Sequence, residues 1–79
     1  MSIPLVDCRG MACPLPIIQV RLRLNVSKKG DQLRIYADDE TFEHEILRFC
    51  QLADMKLLDI EEQTQESKPF VSYLIEVLK

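Results

Sequence analysis

The sequence predicts a two-layer α/β sandwich of the α+β type, with element order βαβαββ, a four-stranded mixed sheet and two helices on one face. Three observations carry this. A short apolar run (Ile3, Leu5, Val6) ends in a glycine turn and leads directly into apolar residues at helical spacing, as at the start of a crossover between parallel strands. Gln32-Leu33-Arg34-Ile35-Tyr36-Ala37 alternates polar and apolar residues, the period of a strand with one buried face. The chain closes on two strand-like stretches separated by a polar turn. Right-handed crossovers put both helices on one side when the parallel connections run the same way across the sheet.

The length of 79 residues suits one domain, residues 1–79, with a single small core. An apolar fraction of 47% is that of a globular chain rather than a disordered one. No apolar run has the length of a membrane span. Met1-Ser2-Ile3-Pro4 lacks the basic region and apolar core of a secretion signal, and Asp7 interrupts early, so a cytoplasmic location is expected. Repeats, low-complexity segments and linkers are absent from the sequence.

Residues 3–8 are expected to form the first strand, with Pro4 tolerated near its start. The first helix is expected from Pro14 to about Lys28, capped by Gly30, with Lys28 and Lys29 at its negative end. Its apolar residues fall in two stripes: Ile17, Val20 and Leu24, and on the other side Leu15, Ile18, Leu22 and Val26. A helix lying on a sheet buries one stripe well, so the second should be partly exposed. Residues 32–37 form the second strand, with Leu33, Ile35 and Ala37 inward. Asp38 or Asp39 is expected to cap a second helix over Thr41 to Ala53, in which Phe42, Ile46, Phe49, Cys50 and Ala53 share one face. That places Cys50 in the core and leaves His44, between Glu43 and Glu45, on the surface. Met55 to Gln63 forms the third strand, Thr64 to Pro69 a turn, and Phe70 to Leu78 the last strand, with Val71, Tyr73, Ile75 and Val77 on one face.

The chemistry concentrates in Cys8-Arg9-Gly10-Met11-Ala12-Cys13-Pro14-Leu15-Pro16, a strand-to-helix turn. Gly10 supplies the freedom of a tight turn, and Pro14 fits the first helical position, where a missing N–H is harmless. Cys13 is then the expected N-cap, its sulfur at the open end of the helix. Pro14 and Pro16 have no N–H, which leaves the Leu15 N–H as the nearest donor to that sulfur. The helix dipole and a folded-back Arg9 both favour a thiolate, with a pKa below the free value of about 8.5. Set against this, a lone cysteine is commonly a small buried hydrophobe and proline is ordinary helix punctuation.

Three cysteines do not form a disulfide framework, and the four residues between Cys8 and Cys13 differ from the two-residue spacing of a thioredoxin-like motif. Cys8, Cys13, Cys50 and His44 lack zinc-knuckle spacing, so no metal is expected. Net charge is −3 but uneven: residues 1–34 hold six basic and two acidic residues, residues 35–79 four basic and eleven acidic. This argues against tight nucleic-acid binding and suggests a basic face for an acidic partner beside the sulfur, although on charge alone solvated surface is the better reading.

These residues resemble the TusA/SirA-like sulfur-carrier family. The resemblance runs through Val6-Asp7-Cys8-Arg9-Gly10, the Cys13-Pro14-Leu15-Pro16 motif, Lys29-Gly30-Asp31, Ala37-Asp38-Asp39, Arg48-Phe49-Cys50 and Tyr73-Leu74-Ile75. It implies the same sandwich, and a carrier that takes sulfane sulfur as a persulfide on Cys13. It further implies a PLP-dependent cysteine desulfurase as donor, no cofactor on the carrier itself, and a relay through an acceptor protein toward thiolation of the tRNA wobble uridine. The chain departs from the family at Glu45-Ile46-Leu47, where Asp-Ile-Pro is common, at the acidic Ile75-Glu76-Val77 ending, and at Leu22, a place often polar.

On this reading Cys13 is the nucleophile, Arg9 an electrostatic helper and Asp7 a brace for the turn. Ile18 and Leu22, flanked by Arg21 and Arg23, form a face on which donor and acceptor dock in turn. Cys8 is either a resolving thiol or, as favoured, a strand-end core residue. The competing functional class is a non-catalytic protein- or RNA-binding regulatory module of the same fold. A disulfide oxidoreductase built on Cys8 and Cys13 stands third.

Overall fold

The computed structural model describes residues 3–12 and 15–78. Six elements follow in the expected order: β1 (Leu5–Cys8), α1 (Leu15–Leu24), β2 (Gln32–Ala37), α2 (Phe42–Leu52), β3 (Met55–Gln65) and β4 (Lys68–Val77). The strands form one mixed sheet in the order β1-β2-β4-β3. β1 and β2 are parallel, whereas β4 is antiparallel to both β2 and β3. β3 therefore runs parallel to β2 two places away, and both crossovers step in the same direction. Right-handedness then puts α1 and α2 side by side on one face.

β2 buries alternate residues, Leu33, Ile35 and Ala37. They meet Tyr73 and Ile75 of β4, Cys8 of β1, Val20 of α1, and Phe42, Ile46 and Cys50 of α2 in one core. Phe42 packs edge-on against Tyr73, with ring centroids 5.2 Å apart. The second stripe of α1 is exposed, as its spacing predicts: Leu15, Ile18 and Leu22 face solvent, as does Val26 just past the helix end.

Several boundaries differ from the sequence expectation. The first strand begins at Leu5, after Pro4, whose carbonyl still accepts the Arg34 N–H at 2.9 Å. α1 stops at Leu24 rather than near Lys28. Its end tightens through bonds from Val26 N–H to the Arg23 carbonyl and from Ser27 N–H to the Leu24 carbonyl, and the Ser27 hydroxyl also donates to Arg23. Asn25, Val26 and Ser27 are all weaker helix formers than the residues before them. Gly30 consequently does not cap the helix. At φ +90° it takes the third position of a turn closed by Asp31 N–H to the Lys28 carbonyl, and its own N–H donates to Val77 at 2.8 Å.

At the start of α2 the cap position belongs to Thr41. Asp39 braces it from two residues back, accepting both the Thr41 N–H and its hydroxyl. The helix leads into β3 through Asp54, at φ 54°, a left-handed residue that aspartate tolerates better than most.

The last two strands are longer than their patterns predict. The turn shrinks to Glu66 and Ser67, both at positive φ, with Gln65 paired to Lys68. Pro69 lies inside β4, beyond the end of β2, so no second neighbour requires its missing N–H. On the sheet face away from the helices, Phe70 and Ser72 are also buried. Arg34 covers Ser72, donating to its hydroxyl at 2.9 Å.

Candidate functional site

The parallel register pairs Cys8 with Ala37 at the carboxyl ends of β1 and β2. The two following loops thus leave the sheet side by side, the place where open α/β sheets gather their sites. Cys8 is fully buried, its thiol 4.0 Å from the carbonyl oxygen of Pro16. Met11 N–H donates to the Cys8 carbonyl at 3.2 Å and closes a turn with Gly10 at φ +81° in its third position. Only a residue without a Cβ takes that conformation without strain. The Gly10 N–H points across to the neighbouring loop, where both carboxylate oxygens of Asp38 accept it at 3.0 Å.

Arg9 turns to the open face of the sheet. Asp7 accepts its backbone N–H at 3.1 Å, its Nε at 2.9 Å and its Nη2 at 2.7 Å. The guanidinium lies over the rings of Tyr36 and Phe70, and Nη1 donates to Gln65. Asp7, Tyr36, Phe70 and Gln65 each belong to a different strand, so a single side chain ties all four together at this end. Arg9 side-chain hydrogen bonds hold the Asp7 carboxyl below the usual range despite some desolvation. Asp7 is a brace for the turn in this arrangement, and the charge of Arg9 is spent on Asp7.

Cys13 and Pro14 lie outside the described residues, so the expected N-cap position and the proline start of the helix are not described. On their far side the Leu15 N–H donates to the Ala12 carbonyl at 3.0 Å. The acceptor the fold gives that N–H is the Ala12 carbonyl, a partner the sequence expectation did not name. Pro16 is buried, anchoring the first turn of α1 above Cys8.

The other two thiols are enclosed. Burial pushes the Cys8 thiol up, with the Asp7 charge adding to the effect, and burial alone pushes up Cys50. Full enclosure of Cys8 opposes a resolving role and matches the core reading. His44 is exposed on α2 while Cys50 is buried, so these two do not converge. Among the described residues no group of three or more histidine, cysteine or acidic side chains comes together to hold a metal.

The four docking candidates share the exposed side of α1. Ile18 and Leu22 are 43% and 59% exposed, and with Leu15 they form an apolar strip that starts two positions after Cys13 in the sequence. Arg21 leans over the Phe49 ring at 5.8 Å, and Arg23 is open to solvent. Sequence reasoning offered Asp38 or Asp39 as a cap for the second helix and did not find the bond that Asp38 accepts from the Gly10 N–H. The position of Asp38 directly after the second parallel strand was the available signal.

The sequence model of the family described as Sulfurtransferase TusA matches residues 5–77. The chain belongs to the TusA sulfurtransferase family. A solved structure agrees in fold: the SirA-like protein from Desulfitobacterium hafniense superposes with a TM-score of 0.74 over 98% of this chain and 100% of that one, at 14% sequence identity. Membership of the TusA family makes this chain a sulfur-transfer carrier, a protein that engages sulfur donors and acceptors. Among the described residues no helix is long and apolar enough to cross a membrane.

Proposed function

We propose that this member of the TusA family carries sulfane sulfur as a persulfide on Cys13, receiving it from a PLP-dependent cysteine desulfurase and passing it to an acceptor protein on the way to tRNA wobble-uridine thiolation. The Cys13 thiolate attacks the outer sulfur of the donor persulfide. The donor's S–S bond breaks, its inner sulfur leaves as a thiolate, and the outer sulfur stays on Cys13 with its proton. Attack by an acceptor thiolate on that outer sulfur repeats the exchange and frees Cys13. No net oxidation occurs, and no general base is needed once the thiol is ionised.

The observation that supports Cys13 is the fate of its competitors. The chain has three cysteines, and both others are buried with thiols pushed up by burial. A thiol in that state is a poor nucleophile at neutral pH. The apolar strip of Leu15, Ile18 and Leu22 with Arg21 and Arg23 supplies a docking face that begins two positions after Cys13 in the sequence.

Incubation with a cysteine desulfurase and cysteine, followed by peptide mass spectrometry, tests the reading. The expected result is one added sulfur atom on the peptide holding Cys13, absent from Cys13→Ser and retained in Cys8→Ala. Sulfur on Cys8 or Cys50 peptides of Cys13→Ser overturns it. Intact partner binding by Cys13→Ser together with no sulfur uptake by the wild type favours the regulatory-module alternative.

A further inference from the structure

We infer that Asp38 is a positioning residue for the sulfur-carrying segment, acting through the Gly10 amide. This rests on the reading of Cys13 as the carrier thiol. Of the adjacent aspartates in the β2–α2 loop, Asp39 accepts two bonds from Thr41, and Asp38 reaches a residue 28 positions earlier. Thr41 holds the cap position of α2 without a side-chain cap bond, and the Asp39 carbonyl accepts the Phe42 N–H.

The target of Asp38 is well placed to matter. Gly10 stands between Cys8, rooted in the core, and Met11 and Ala12, after which the chain goes on to α1. The Ala12 carbonyl accepts the Leu15 N–H. Gly10 itself is tied to a different element through the two Asp38 oxygens. A carboxylate accepting a backbone N–H makes a charge-assisted bond, stronger than one between neutral groups. Losing this tie lets the turn move relative to the β2–α2 loop, which lines the same open surface as Gly10, Met11 and Ala12. Group transfer is sensitive to such movement, because about 1 Å of displacement at a reacting group can lower rates up to about a hundredfold.

Asp38→Asn and Asp38→Ala separate the tie from the charge, since both remove the charge and only asparagine keeps an acceptor oxygen. Amide exchange at Gly10, the pH profile of Cys13 alkylation by iodoacetamide, and Cys13 loading from glutathione persulfide give three readouts. Asp38→Ala should exchange its Gly10 amide faster, raise the midpoint of the alkylation profile relative to Asp38→Asn, and load sulfur about tenfold or more slowly. Asp38→Asn, which keeps an acceptor oxygen but loses the charge assistance, should fall between wild type and Asp38→Ala in exchange and loading. Equal behaviour of the two variants in all three readouts overturns the inference. If the wild type takes up no sulfur, the carrier reading fails, while Gly10 exchange and the alkylation profiles still decide the role of Asp38.

Discussion

The guanidinium carbon of Arg9 lies 4.9 Å from the centroid of the Phe70 ring, although the two residues are separated by most of the chain and come from opposite sides of β2. Phe70 is buried without belonging to the core under the helices. Its cover is Arg9, with Tyr36 beside it at a ring separation of 4.8 Å. The open face of this sheet thus has a small packed cluster of its own, closed by a cation that Asp7 and Gln65 orient.

Removing that cation should loosen the fold in a pH-dependent way. The folded-state pKa of Asp7 is depressed by Arg9, so the pair's contribution is present above the unfolded carboxyl value of about 4 and disappears as acid titrates the folded group. Arg9→Ala should lower the urea midpoint at pH 7, and the difference from wild type should shrink on acidification. Arg9→Lys should recover only part of the loss, because it lacks the planar fork. Equal midpoints for wild type and Arg9→Ala at pH 7 would remove the role assigned to this cluster.

Tyr73 should set an alkaline limit. Its hydroxyl is pushed up to about 12, first by burial and then by the charge of Glu43. The folded value is raised, so the stabilising contribution is complete below the unfolded value of about 10 and is lost as pH rises through the folded one. Absorbance titration should show a late tyrosine ionisation tied to unfolding, and Tyr73→Phe should abolish that step. A freely titrating Tyr73 in the folded protein contradicts its burial.

Two apolar residues, one from each helix, should separate stability from docking. Ile46 is fully buried, and Ile46→Ala should destabilise the protein by about 2–5 kcal/mol through the cavity it leaves. Leu22 is largely exposed, and Leu22→Glu should change stability by no more than about 0.5 kcal/mol. The same change should weaken binding to a cysteine desulfurase, measured by calorimetry or pull-down. Unaltered binding would discard the docking face on α1.

The β3–β4 hairpin carries avoidable strain. Glu66 at φ 52° and Ser67 at φ 66° hold the left-handed geometry of a two-residue turn that favours Asn-Gly. Left-handed geometry costs about 1–2 kcal/mol at an ordinary residue. Glu66→Asn combined with Ser67→Gly should therefore raise the thermal midpoint without changing sulfur uptake. A lower midpoint would mean that Glu66 makes a contribution its exposed position does not suggest.

Much of this fold was legible from periodicity. Alternation in residues 32–37 identified β2 to the residue, and helical spacing from Phe42 to Cys50 identified the buried face of α2. The two stripes of the first helix foretold which side stays exposed. The misreadings lie where a residue answers to a distant partner. Gly30 resembles a helix cap until the end of β4 supplies the Val77 carbonyl to its N–H. Pro69 resembles a turn residue until the short reach of β2 leaves that side of β4 open.

The amino-acid sequence by itself determined the element order, most of the core residues and the exposed strip on α1, because burial and local conformation follow from the spacing of apolar residues, glycine and proline. Tertiary structure alone decided that Asp38 takes the Gly10 amide and that Arg9 ties four strands together. Hydrogen bonds and cation–ring contacts between residues far apart in the chain depend on strand order and register, and those are set only when the sheet closes.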